Sequence, residues 1–144
     1  MKTCEIRIVV RTMPAEELPD EARRWMAMAT EAAGKAYSPY SRFQVGAVAV
    51  LSDGTLVTGC NQENAAYPSG LCAERVALFS AGAVYPGVAV KTLVLVAILD
   101  GVVQDGISPC GACRQVLLET ERRQRSPVTV MLCGRREVRI VDSG

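Results

Sequence analysis

Two stretches constrain this chain more than any others. "FQVGAVAVL" (43–51) and "LVLVAIL" (93–99) are apolar at nearly every position. A strand with one wet face alternates apolar and polar residues, so a nearly unbroken apolar run has to be covered on both faces. Both runs therefore read as inner strands of a sheet sandwiched between other layers, the second extending over 88–99.

The remaining segments supply those layers. From Asp20 to about Ala36, the apolar positions Ala22, Trp25, Met26, Ala29, Ala32, Ala33 and Ala36 follow helical spacing, with Pro19, Asp20 and Glu21 as start signals. "SDG" (52–54) turns the chain from the first apolar strand into another over 55–59. "PSG" (68–70) breaks the chain before a helix over Leu71 to about Ala81, and Ser108-Pro109 opens a third helix that ends in "ERRQR". Strands follow over 128–132 and 137–141, around Cys133-Gly134. At the N-terminus, Ile6, Ile8 and Val10 alternate with charged residues, which predicts a half-buried strand over 5–11 and a connector over 12–20. The order β, α, β, β, α, β, α, β, β predicts a three-layer α/β domain, a mixed sheet with helices packed on it, in one unit over 1–144.

Composition narrows the function. The chain is 49% hydrophobic and 22% charged with a net charge of +1, which proposes neither a nucleic-acid nor a membrane partner. No apolar run approaches the roughly 20 residues of a membrane span. "MKTCEIRIVVR" lacks the apolar stretch of a secretory signal, so a cytoplasmic protein is expected. There is no histidine at all. That excludes Ser-His-Asp and Cys-His catalysis and every metal site that needs an imidazole, and leaves proton transfer to a carboxylate, lysine, tyrosine or thiol.

Six cysteines, Cys4, Cys60, Cys72, Cys110, Cys113 and Cys133, are expected as thiols in such a chain. Three of them lie at predicted helix starts: Cys72 in "PSGLCAER", and Cys110 and Cys113 in "SPCGACRQ". In mid-helix, residues 72 and 74 would point about 200° apart, at about 100° per residue. They can serve one site only where a helix begins. With Pro109 as first helical residue, Cys110 and Cys113 share the opening turn. Two helix N-termini aimed at one point favour thiolates. Three cysteine ligands suggest zinc with an open position for water, and Glu74 beside it as the proton carrier. Two other readings stay open at this stage: a closed structural zinc with Cys60 or Cys133 as fourth ligand, and a redox dithiol at Cys110 and Cys113. The redox reading leaves Cys72-Ala73-Glu74 without a role.

"CAER" followed by "SPCGACRQ" resembles the zinc-dependent cytidine deaminases, short-chain homotetrameric type. "YSPYSRFQVGAVAV" (37–50) and "GCNQENAAYPSGLCAER" (59–75) resemble further segments of that family, and the likeness spans about 22 to 132. The resemblance implies a cytidine-deaminase-like domain with one zinc per chain on Cys72, Cys110 and Cys113, and Glu74 as catalytic proton shuttle. It implies that Phe43 packs on the pyrimidine, and that Asn61 and Glu63 hydrogen-bond the ribose hydroxyls. Backbone groups near Ala73 would read the base edge, Arg75 and Gln115 would support the ligand thiolates, and Ala65 and Tyr67 would reach a neighbouring subunit's pocket.

The implied reaction is attack of zinc-bound hydroxide at C4 of cytidine or deoxycytidine, giving uridine or deoxyuridine and ammonia, a step of pyrimidine salvage. Related deaminases of polynucleotides or other cytosine-like substrates, and a non-catalytic zinc or redox module, are the alternatives. The family's usual C-terminal tail is absent after "IVDSG" (140–144), and the strand and connector over 1–18 are extra.

Overall fold

The computed structural model describes residues 1–143. Those residues form seven strands and three α-helices: β1 (Val10–Pro14), α1 (Asp20–Ala33), β2 (Phe43–Leu51), β3 (Leu56–Cys60), α2 (Ala73–Val84), β4 (Val90–Leu99), β5 (Val102–Val103), α3 (Gly111–Gln124), β6 (Val128–Cys133) and β7 (Glu137–Ser143). Single 3₁₀ turns lie at Ala15–Glu17 and Tyr67–Ser69. The strands make one sheet in the order β1-β7-β6-β4-β2-β3, with the short β5 pairing β4. β4 and β6 are parallel and joined through α3; the other pairings are antiparallel. This is the mixed, three-layer α/β arrangement that the two apolar runs require.

The two faces of β2 and β4 show why both had to be apolar. Ala47, Ala49 and Leu51 of β2, with Leu93 and Leu95 of β4, pack beneath Ala73, Ala77, Leu78 and Leu117 of α2 and α3. Val48, Val50, Val94 and Val96, which alternate with them, pack with Ala22 and Ala29 of α1 on the opposite face. Successive side chains alternate faces, so each strand feeds two cores.

Two glycines set how closely the helices approach. A Cβ on Gly46 would lie 1.8 Å from the Ala29 carbonyl oxygen of α1, and one on Gly59 would lie 2.5 Å from the Ala77 nitrogen and 2.7 Å from the Ala73 oxygen of α2. Backbone thus meets backbone on both faces of the sheet. The second contact anchors the helix whose first turn carries Glu74.

The N-terminal strand differs from the expectation of 5–11. It lies at Val10–Pro14, pairing β7 from Val10↔Val141 to Pro14↔Glu137. Residues 1–9 have no regular structure, and Ile6 and Ile8 are 83% and 74% exposed. The reason is topological: β1 lies at the far edge of the sheet, while α1 packs over β2, β3 and β4. Pairing with β7 begins only at Val10, so Ile6 and Ile8 lie outside the sheet, and Met13 is the β1 residue that packs on the core. Both site helices also begin later than expected. α2 starts at Ala73 and α3 at Gly111, because Cys72 and Cys110 have extended backbone (ψ 155° and 169°) and cap the helices instead of entering them.

Candidate active site

Helices α2 and α3 lie side by side on one face of the sheet, and their starts converge. Cys72 and Cys110 are the N-cap residues, one on each helix, and Cys113 lies in the first turn of α3. Cys72 Sγ is 3.8 Å from Cys110 Sγ, and Cys110 Sγ is 3.5 Å from Cys113 Sγ. Zinc–sulfur bonds of about 2.3 Å at tetrahedral angles place sulfurs roughly 3.8 Å apart. Both separations fit edges of a zinc tetrahedron, and all three sulfurs lie within 4.8 Å of one another. The trio is the only such group of potential ligands among the described residues. All six cysteines are free thiols.

Neither candidate for a fourth ligand joins them. Cys133 is fully buried in the core beneath α1, on the other face of the sheet, and burial pushes its thiol up to about 12. Cys60 accepts a bond from Gln62 Nε2 at 3.3 Å and lies outside the group. A metal ion held by the trio would have no fourth cysteine ligand among the described residues.

The electrostatics follow from the helix ends. The backbone amide of Cys113, at the open start of α3, holds the Cys110 thiol below its usual range. Burial, and then the neighbouring Glu74 charge, push Cys113 the other way. A dication is what would let all three ionise together. Arg75, one residue past Glu74, points Nη2 at Cys72 Sγ (3.6 Å), while its buried Nε has no hydrogen-bond partner. Glu74 itself is only 6% exposed. Burial raises its carboxyl, outweighing the opposing effects of its own backbone amide, Cys113 and Arg75. A carboxyl so placed takes up a proton more readily than a surface one.

These groups line one end of a cavity of about 980 Å³. Phe43, Asn61, Glu63, Ala65 and Tyr67 line it too, with Cys72, Glu74, Arg75 and Cys110. Three expected residues are not on its wall. Cys113 is buried behind the other two sulfurs, and Ala73 is buried with its carbonyl against Gly59. Gln115 lies exposed on α3.

At the opposite end, the two polar residues expected to meet a sugar are already engaged with backbone. Asn61 Oδ1 accepts from the Val45 N–H (2.7 Å), and its Nδ2 donates to the Phe43 carbonyl (2.8 Å). Glu63 Oε2 accepts from the N–H groups of Tyr40 (2.9 Å) and Ser41 (3.3 Å), and its Oε1 accepts from the Ser41 hydroxyl. Ser41, foremost among these donors, holds the Glu63 carboxyl below its ordinary range. Sequence reasoning missed Tyr40 and Ser41. The only local signal was the turn "SPYSR" just before the residue expected to stack on the base.

Comparison with known proteins places this site. Residues 19–129 match the family described as the cytidine and deoxycytidylate deaminase zinc-binding region. The chain is 47% identical over 100 residues to a cytidine deaminase of Sporosarcina psychrophila, a match covering 69% of each chain. It is 50% identical over 94 residues to that of Mycobacterium tuberculosis, covering 63% of this chain and 65% of the relative. Among solved structures, the cytidine deaminase of Burkholderia pseudomallei superposes with a TM-score of 0.69 at 38% identity, over 88% of this chain and 94% of that one. The M. tuberculosis enzyme superposes with a TM-score of 0.63 at 38% identity, over 81% and 87%. The chain belongs to the cytidine and deoxycytidylate deaminase family and is a zinc-dependent deaminase, with Cys72, Cys110 and Cys113 positioned to hold the metal ion.

Proposed function

We propose that the protein hydrolyses the exocyclic amine of cytidine and deoxycytidine, releasing ammonia and leaving uridine or deoxyuridine, as a step of pyrimidine salvage. The observation that carries this reading is the buried Glu74 beside the three-sulfur trio, on the wall of a cavity with room for a nucleoside. When bound, zinc supplies the Lewis acidity that makes a water nucleophilic near neutral pH.

Glu74 does the proton work. It takes the proton of the attacking water as the oxygen bonds to C4, then delivers it to N3. It next carries a second proton from the added hydroxyl to the exocyclic nitrogen. The C4–N bond breaks, ammonia departs, and a C4 carbonyl remains. Its burial suits this shuttling, because a carboxyl raised above its ordinary range accepts a proton more readily than a surface one. Arg75 offsets the negative charge of the thiolates. Phe43 packs against the pyrimidine, while Asn61 and Glu63 meet the ribose with the hydrogen-bonding positions they do not use on backbone.

Free nucleosides are favoured over polynucleotides because Arg75, turned to Cys72, is the only basic residue on the cavity wall among the described residues, whereas a phosphate backbone needs a line of cations. We further propose a cytoplasmic homotetramer. Tyr67 is 91% exposed at the cavity mouth, where a neighbouring subunit would cover it. Among the described residues, no helix is long and apolar enough to cross a membrane.

The test is to follow ammonia release from cytidine, deoxycytidine, CMP, cytosine and adenosine, with and without chelator. Turnover of the first two alone, abolished by the chelator, is expected. Turnover of only CMP or adenosine overturns the substrate assignment.

A further inference from the structure

The turn at 38–42 holds an arrangement that the reaction as described does not use. Arg42 has a left-handed backbone (φ 57°), and its N–H bonds the Ser38 carbonyl at 2.9 Å, so the turn is tightly closed. Beside it, Tyr37 and Glu63 are joined by backbone bonds: Tyr37 N–H to the Asn61 carbonyl (3.0 Å) and Glu63 N–H to the Tyr37 carbonyl (2.8 Å). The Ser41 hydroxyl lies between the turn and the sheet. Its oxygen accepts from the Phe43 N–H at 3.0 Å, and its proton goes to Glu63 Oε1.

An ionised carboxylate offers about four acceptor positions. Tyr40 N–H, Ser41 N–H and the Ser41 hydroxyl occupy three of those on Glu63, leaving one, on Oε1. Ser41 supplies two of the three donors. The Phe43 N–H is the first of strand β2, and by occupying the Ser41 oxygen it turns the hydroxyl proton toward Glu63.

We infer that Ser41 is a positioning residue for the sugar: it aims the last open acceptor of Glu63 at a single ribose hydroxyl. The inference rests on the nucleoside reading above. It adds that the bond to substrate is one donated hydrogen bond, with its direction set from the sheet through Ser41.

Steady-state kinetics of the zinc-loaded enzyme on cytidine and on 2′,3′-dideoxycytidine test this. Ser41→Ala should raise KM for cytidine roughly tenfold, the size of one hydrogen bond to a charged group. Its kcat should change less than about threefold, and kcat/KM for the dideoxy substrate should stay within about twofold of wild type. Ser41→Thr, which keeps the hydroxyl, should recover most of the loss. An unchanged KM, an equal penalty on both substrates, or a threonine variant no better than alanine overturns the inference. A wild-type enzyme that does not turn over cytidine sinks the nucleoside reading itself, and this one with it.

Discussion

The two ends of the cavity are built by different means. The sulfur end is made by main-chain direction: two helices begin there, their N-caps are cysteines, and α2 is pressed onto β3 through Gly59. The opposite end is made by side chains that reach back to backbone, Asn61 to β2 and Glu63 to the 40–41 turn, at residues that are half-buried or exposed. Geometry held by packed helices is rigid and costly to alter. Geometry held by exposed hydrogen bonds shifts for a few tenths to about 1.5 kcal/mol per bond. Changes at the first end should therefore act in an all-or-none way, and changes at the second should be graded.

The largest break in that contrast is removal of the metal. Dialysis against a strong chelator should take turnover to background, with recovery on adding zinc, and metal analysis should follow activity one to one. Next comes Glu74→Gln, expected to lower kcat by about 10²–10⁴-fold while the bound zinc measured by atomic absorption is unchanged. Loss of zinc in that variant would mean that the carboxylate is a ligand, not a proton carrier.

Gly59→Ala tests the packing behind the sulfur end. A methyl group there meets backbone atoms of α2 that cannot swing aside, so a loss of about 2–3 kcal/mol or more in unfolding free energy is expected by denaturant titration. Zinc content should fall with it. At the other end, Asn61→Asp keeps the acceptor for Val45 N–H but sets a carboxylate oxygen against the Phe43 carbonyl. KM should rise about tenfold with kcat little changed, a graded loss of one hydrogen-bond pair. The smallest effect belongs outside both ends. Ile6→Ser with Ile8→Ser should leave stability within about 0.5 kcal/mol, since both side chains are already in water.

The same contrast explains what could be read from the sequence. The trio and Glu74 were legible because their logic is local: a proline or glycine, a helix start, and cysteines within one turn. The inner strands were legible because covering both faces demands unbroken apolar runs. The position of β1 was not, because Ile6 and Ile8 alternate as a buried strand would, and only the register with β7 shows that pairing begins at Val10. Nor was the bonding of Glu63 to Ser41, 22 residues away in the chain, which exists only once the turn and β3 are neighbours. Gly46 and Gly59 read as ordinary strand residues until the helices above them are known. Cys72 and Cys110 were placed inside their helices when they are caps, a two-residue shift of each helix start that puts each sulfur beyond the helix end.

The bare contact between Gly59 and α2 also bears on how a nucleoside enters. With no side chain between them, that strand and the first turns of that helix are locked backbone to backbone, and Glu74 is held on the locked piece. Any rearrangement of the cavity wall that spares this piece falls on the exposed hydrogen bonds between the 40–41 turn and Glu63.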